Sequence, residues 1–481
     1  MSKTRQMAVA GCVVGIGALA VAVLGSFEQP HRVAVDAVKM EQHGLSAVVA
    51  PVGAPGPAIE RPNVVLVVVC TLRKDQLTPY GAPAVNSPFL QSVAEHGALF
   101  ERAYTSSPWT RTASTAIMTG YHPIQLGMIE PGPTASQRRL SSEVLTLAES
   151  FRSNGYRTVG VTANPNTNAV FGFAQGFDAY VEMTRLWRES GHTKVAGFKA
   201  VASALDAVDE TAESEPNKPL YLRMMILDPH APIRMQRAEA QPYMVGDVPA
   251  RVGKYRAMVA RADLAISQLW TGLAERGMNE TNTVLMVIND HGEGLSFPPH
   301  HGAGHGNLTF SATTAMPWLA YGAGVQPGHR IGGLASQVDV MPTLQEVAGF
   351  RDYDGPGSSW AKALQGDSRT SRTEAYVDTW KTKSSRAAVY TEDRSCHIDF
   401  RSDALRDERE RLLPREVCYD ETADTYQLTR VDVVPELLDT LKAWRVARED
   451  EFDRWPHHET AEVESSLRAH LEALGYVQDD G

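Results

Sequence analysis

Six apolar residues, Val64 to Val69, run without a break into Cys70 within PNVVLVVVCTLRKDQL. Almost all are valine, and no polar residue alternates with them. Such a strand is buried on both faces, the setting of a parallel sheet packed by helices on each side. YRTVGVTANP, LYLRMMILDPH and NTVLMVINDH read as further strands. Helical patterns lie between them. SSEVLTLAESFRSNG can be capped by Ser141 or Ser142 and ended by Gly155, and YRAMVARADLAISQLWTGLAERG is closed by Gly277. This alternation predicts an α/β fold around a mainly parallel sheet.

The strand ends carry chemistry: Cys70-Thr71, Asn164, Asp228-Pro229-His230 and Asn289-Asp290-His291. Open α/β sheets collect ligands outside the carboxyl ends of their strands. Cysteine, asparagine, aspartate and histidine at one edge suit a metal or acid–base site. Aspartate and asparagine after a strand also simply start turns. The Asp290-His291 pair, followed by GEG and a loop with His300, His301 and His305, points beyond that ordinary role; a surface metal-scavenging loop is its rival.

SSPWTRTASTAIMTGYHP is the second informative stretch. Thr112 to Met118 reads as a helix closed by Gly120, with Thr110 at or just before its start. Free backbone N–H groups and the helix dipole there favour an anion and lower a hydroxyl's pKa. Thr110 is then a nucleophile if a metal binds its oxygen, or a plain N-cap if none does. Arg111 could grip a phosphate or sulfate group.

The chain has 481 residues and a net charge of −11, which argues against wrapping nucleic acid. Lys3 and Arg5 precede an apolar run from Met7 to Leu24, so residues 1–26 read as a signal peptide or signal anchor. Export to the periplasm, or tethering outside the cytoplasm through residues 7–24, follows. Residues 27–60 are rich in Ala, Val, Pro and Gly and read as a linker. Cys396 and Cys418 lie 22 residues apart in the tail and are expected to pair if the protein is exported; Cys70 is then left without a partner. After residue 365 the pattern changes. RAAVYTEDRSCHIDF looks like an antiparallel strand pair, and VPELLDTLKAWRVARE and ESSLRAHLEALGY like helices, which makes 366–481 a smaller α+β C-terminal subdomain.

These stretches, with GFAQGFDAY, DPHAP, GHGNLTF, QVDVMPTLQEVAG and LEALGYV following in order, resemble the sulfatase-like branch of the alkaline phosphatase superfamily. The resemblance is strong over about residues 61–350 and implies a three-layer α/β/α sandwich, with a catalytic domain over 61–365. It implies that Asp290 and His291 are metal ligands and that Thr110 holds the nucleophile position and shares the metal. Family sulfatases often place there the Cys or Ser of Cys/Ser-x-Pro-x-Arg and oxidise it to formylglycine. Thr110-Arg111-Thr112-Ala113-Ser114 lacks that proline and arginine, so no formylglycine is expected. Cys70 stands where the family usually has aspartate. As a thiolate ligand it would favour zinc over calcium or manganese; the rival reading is a buried residue that has lost the ligand role. His230 and His305 match histidines aimed at the leaving group or the transferred anion, with His301 and Asn164 as further substrate contacts.

The implied activity is metal-dependent hydrolysis of sulfate or phosphate esters of a small molecule, glycan or lipid. A membrane-tethered phosphoglycerol or phosphoethanolamine transferase, or an inactive sulfatase-like binding protein, is the alternative.

Overall fold

The computed structural model describes residues 52–129, 138–183, 194–233, 235–367, 372–381, 384–406, 414–451 and 460–474. The expected signal or anchor segment lies outside these residues, as does most of the linker. Among the described residues no helix is long and apolar enough to cross a membrane. The described end of the linker forms neither helix nor strand. It is tied down: the Tyr321 hydroxyl donates to the Gly53 carbonyl at 2.9 Å, and the Gly56 N–H to Glu280 at 3.0 Å.

Among the described residues the main sheet has eight strands: β1 (Asn63–Val69), β2 (Ala98–Tyr104), β3 (Arg157–Thr162), β4 (Ala179–Glu182), β5 (Leu220–Ile226), β6 (Thr283–Asn289), β7 (Trp318–Gly322) and β8 (His329–Ser336). Their spatial order is β4-β3-β5-β1-β6-β7-β2-β8. Only β7 runs antiparallel to its neighbours. The valine run lies at the centre between β5 and β6, which explains its burial on both faces. Alternate residues serve opposite helical layers. Tyr221 stacks on Phe151 of helix Leu147–Ser153 at 4.2 Å, while Ile226, of opposite parity, packs near Gly197 at the start of helix Gly197–Ser214. The result is the expected three-layer sandwich.

The helix expected from Ser141 or Ser142 begins later, at Leu147. Thr146 is its N-cap, in a reciprocal capping box with Glu149. The competing signal was already in the sequence as Thr-x-x-Glu. Thr110 is the first residue of helix Thr110–Thr119, and Trp109 is the N-cap, so Thr110 does not serve as a plain cap. Gly120 ends this helix at φ 71°, a left-handed conformation in which a side chain would be strained.

A second sheet, wholly antiparallel, has the order β13-β12-β11-β10-β9: β9 (Ala375–Lys381), β10 (Ser384–Tyr390), β11 (Arg394–Asp399), β12 (Glu416–Asp420) and β13 (Arg430–Val431). One face buries Ala387, Val389, Cys396 and Cys418 against Leu438 and Leu441 of helix Pro435–Glu449. Cys396 and Cys418 are direct cross-strand partners and form the expected disulfide. The other face packs Val377, Ala388 and Tyr390 on Tyr104 and Leu334 of the main sheet. This is the smaller C-terminal subdomain.

Candidate active site

Strand register sets the site. Val69 pairs with both Ile226 and Asn289, so Cys70 and Asp290 leave adjacent strands at one level. Thr162 lies beside Met225, which brings Asn164 to the same edge. Thr110 arrives from the end of β2 through residues 105–109.

Cys70, Thr110, Asn164, Asp290 and His291 all have zero solvent exposure. Cys70 Sγ donates to Asp290 Oδ2 at 3.2 Å and lies 3.6 Å from Thr110 Oγ1. Asn164 Nδ2 donates to Cys70 Sγ at 3.3 Å and to Thr110 Oγ1 at 3.4 Å. Its own Oδ1 accepts the Asn166 N–H at 3.0 Å, so the turn role and the site role belong to one side chain. Thr110 Oγ1 is 3.3 Å from His291 Nε2, which is 3.5 Å from Asp290 Oδ2. One ligand atom from each of Cys70, Asp290 and His291 falls within 4.8 Å of the others.

These groups are held in place. Asp290 Oδ1 accepts the N–H groups of Thr71 (3.0 Å) and His291 (2.7 Å). Its carbonyl accepts from Thr105 Oγ1 (2.6 Å) and Gln337 Nε2 (2.8 Å). His291 Nδ1 faces the Gly292 carbonyl at 2.8 Å, which assigns the proton to Nδ1 and leaves the Nε2 lone pair turned to Thr110. Thr71, a β-branched residue, adopts φ 58°; its N–H bond to Asp290 and the Tyr255 hydroxyl on its carbonyl at 2.6 Å hold this strained turn. Burial, followed by the charge of Asp290, pushes the Cys70 thiol well above its ordinary pKa, so with no cation beside it the sulfur keeps its proton.

A second rank of groups adjoins them. The His305 ring lies 4.5 Å from that of His291 and 5.0 Å from that of His230. Glu293 Oε2 is 3.3 Å from His305 Nδ1. Burial raises the Glu293 carboxyl and the nearby histidines oppose it. Burial, then the charge of His305, lowers His230 well below the usual imidazole value. Lys194 Nζ donates to the Asp228 carbonyl at 2.6 Å and to that of His230, and burial lowers its pKa to about 8. Asp228 itself turns away: its Oδ2 accepts the Gly197 N–H at 2.7 Å and secures a helix start.

Two further residues expected at the site are engaged by neighbouring side chains. Arg111 donates to Asn166 Oδ1 at 2.9 Å and lies 3.7 Å over the Phe171 ring. The His301 ring stacks on Phe310 at 5.0 Å and meets His300 edge-on at 4.3 Å, and burial lowers its pKa to about 3. Sequence reasoning missed Glu293, Lys194 and Arg73. The GEG after Asp290-His291 was a usable signal for Glu293. Arg73 was visible only as a cation near Cys70, and Lys194 stands in no motif.

The sequence profile of the family described as Sulfatase matches residues 62–350. An arylsulfatase of Hemicentrotus pulcherrimus is 23% identical over 338 residues, covering 61% of this chain and 60% of the relative, so the chain spans about three fifths of that protein's length. Two solved structures share the fold. One, a complex with its substrate D-glucosamine-2-N,6-O-disulfate, superposes with a TM-score of 0.65 at 15% identity and covers 81% of this chain and 99% of that one. The other, the phosphonate monoester hydrolase of Agrobacterium radiobacter, gives 0.61 at 16% identity, covering 82% and 96%. The strand-edge cluster lies inside the matched segment, and that segment is more than half of the sequence: the chain belongs to the sulfatase family.

Proposed function

We propose that this protein hydrolyses sulfate esters through a threonine nucleophile and a divalent cation. The observation that carries the reading is the Thr110 hydroxyl at a helix start, within 3.6 Å of Cys70, Asn164 and His291 in a buried strand-edge cluster. The donor set fits a cation. Asp290 Oδ2 and His291 Nε2 are left facing Cys70 Sγ once their other atoms are secured, and a thiolate, a carboxylate and an imidazole suit zinc. Cys70, Asp290, His291 and Thr110 Oγ1 would hold the ion, which when bound supplies positive charge for the thiolate, the alkoxide and the ester oxygens.

The remaining steps belong to the chain. Asn164 Nδ2 orients the Thr110 oxygen. The positive end of the dipole of helix Thr110–Thr119 favours the sulfuryl oxygens and stabilises their charge. Thr110 Oγ1, its hydroxyl proton given up to water, bonds to sulfur as the bond to the leaving oxygen breaks. His305, positioned by Glu293, delivers a proton to that oxygen, with the uncharged His230 ring 5.0 Å from it. Water then cleaves the threonine ester and releases sulfate. The relative solved with a disulfated glucosamine supports a sulfated sugar as the leaving group. The Cys396–Cys418 disulfide supports a location outside the cytoplasm.

The test is turnover of an aryl sulfate and aryl phosphate panel by zinc-loaded wild type and Thr110→Ala. The variant is expected to lose at least about 10³-fold in kcat while its unfolding midpoint is unchanged. Equal activity in the variant overturns the nucleophile. A loaded wild type inert on every ester favours the non-catalytic binding protein.

A further inference from the structure

A cavity of about 620 Å³ opens between the second sheet and the loop from Pro299 to Phe310. The same loop sends His305 to the catalytic cluster, so it walls both spaces. No step above uses the cavity. Its floor is aromatic: the Phe310 ring lies 5.3 Å from that of His397 and 6.0 Å from that of Tyr419. Burial lowers the His397 pKa to about 3, so that ring is uncharged. Among the described residues the lining carries four arginines, Arg386, Arg406, Arg415 and Arg430, against one carboxylate, Asp399. Asp399 is shared. Arg401 grips it through both oxygens at 2.9 and 2.7 Å, and Arg386 and Arg406 approach it at 3.3 and 3.5 Å. Arg415 pairs with the exposed Asp403 at 2.6 Å. Arg430 is exposed, two residues after the exposed Leu428, and hydrogen-bonds the Tyr419 hydroxyl; the Asp424 carboxylate accepts the Thr429 N–H at 2.6 Å.

An aromatic lining, its rings tilted 43° and 83° to Phe310, together with guanidinium groups has two complementary preferences. The floor packs the apolar face of a ring, and the guanidinium forks pair with tetrahedral oxyanions. The volume suits a saccharide unit. The overall charge of −11 disfavours long nucleic acid. We infer that this cavity binds a sulfated sugar unit, so that the protein recognises a polyanionic glycan at a second place besides the reacting ester. Its link to turnover rests on the catalytic reading above; the binding does not.

The experiment measures binding of a defined sulfated oligosaccharide, its desulfated form, inorganic sulfate and a nucleotide of equal charge to Thr110→Ala protein by calorimetry. Double variants carrying Arg430→Ala or Arg415→Ala are run alongside. The sulfated oligosaccharide is expected to bind at least tenfold more weakly to each double variant, and its affinity is expected to fall with salt. In the wild-type background, Arg430→Ala is expected to raise KM for the oligosaccharide and leave kcat/KM for a small aryl sulfate unchanged. Arg430 is exposed, so this variant folds normally, as its unfolding midpoint will report. Unchanged oligosaccharide affinity in both double variants overturns the proposal. Equal affinity for inorganic sulfate, for the desulfated form or for the nucleotide overturns it also. If binding follows this pattern while wild type turns over no ester, the catalytic reading fails and this one stands.

Discussion

Arg73 is a buried clasp whose removal has a calculable cost. It follows Cys70 by three residues. Its Nη1 donates to the carbonyls of Glu293 (3.2 Å), Gly294 (3.1 Å) and Phe297 (2.6 Å). Its Nε and Nη2 pair with both oxygens of Asp75 at 2.8 Å. The guanidinium is 1% exposed and Asp75 27% exposed, so the carbonyl contacts dominate and the ion pair is partly screened. Arg73→Ala leaves the Glu293 and Phe297 carbonyls without that donor, while the Gly294 carbonyl keeps the Phe297 N–H at 3.1 Å; at about 1 kcal/mol for each lost acceptor, plus a fraction of the ion pair, the cost is about 3 kcal/mol in all. Arg73→Lys keeps the charge but not the fork, and should lose about half of that. Urea unfolding followed by tryptophan fluorescence reads both values, with an unchanged m-value marking a stability effect. A loss under about 1 kcal/mol in the alanine variant, or a lysine variant equal to wild type, would refute the reasoning.

Two further outcomes follow from the geometry. Wild type loaded with cobalt should show sulfur-to-metal charge-transfer absorption, and Cys70→Ala should lose that band and at least about tenfold in cobalt affinity; a wild type with one bound cobalt and no such band removes Cys70 from the ligand set. Burial raises the Asp378 carboxyl from 3.8 to about 6, with Arg445 only partly opposing, and both its oxygens lack a hydrogen bond. Its protonated form is the stabilising one, so this contribution is full below pH ~4 and is lost as pH rises through about 6, by about 3 kcal/mol at most. Asp378→Asn should therefore be more stable than wild type at pH 8 and show a flatter profile between pH 4 and 6, measured by denaturant unfolding; equal slopes would contradict this.

The parts of the fold legible beforehand were those with a one-dimensional signature. The valine run, the strand ends and the cysteine spacing each foretold what the coordinates show, because burial on two faces and cross-strand pairing both leave a local pattern. Asp290, His291, Thr110, Cys70 and Asn164 could be gathered because parallel strands bring their carboxyl ends to one edge. Direction within loops was not legible. His301 and His305 lie four residues apart in the same loop, yet one stacks on Phe310 and the other lies tilted against His291. Nor does any pattern mark Lys194, whose partners are backbone carbonyls more than thirty residues away. The capping error at Ser141 was avoidable, since Thr146 and Glu149 are spaced as a reciprocal cap.

Asp290 is fastened at two of its three oxygens, Oδ1 and the backbone carbonyl, by four hydrogen bonds from the rest of the chain, and only Oδ2 looks inward. The proposed cation site is thereby shaped in advance, by bonds that do not involve an ion. Gain and loss of the cation become questions of occupancy, separate from folding, so a chelator would silence the protein without unravelling it.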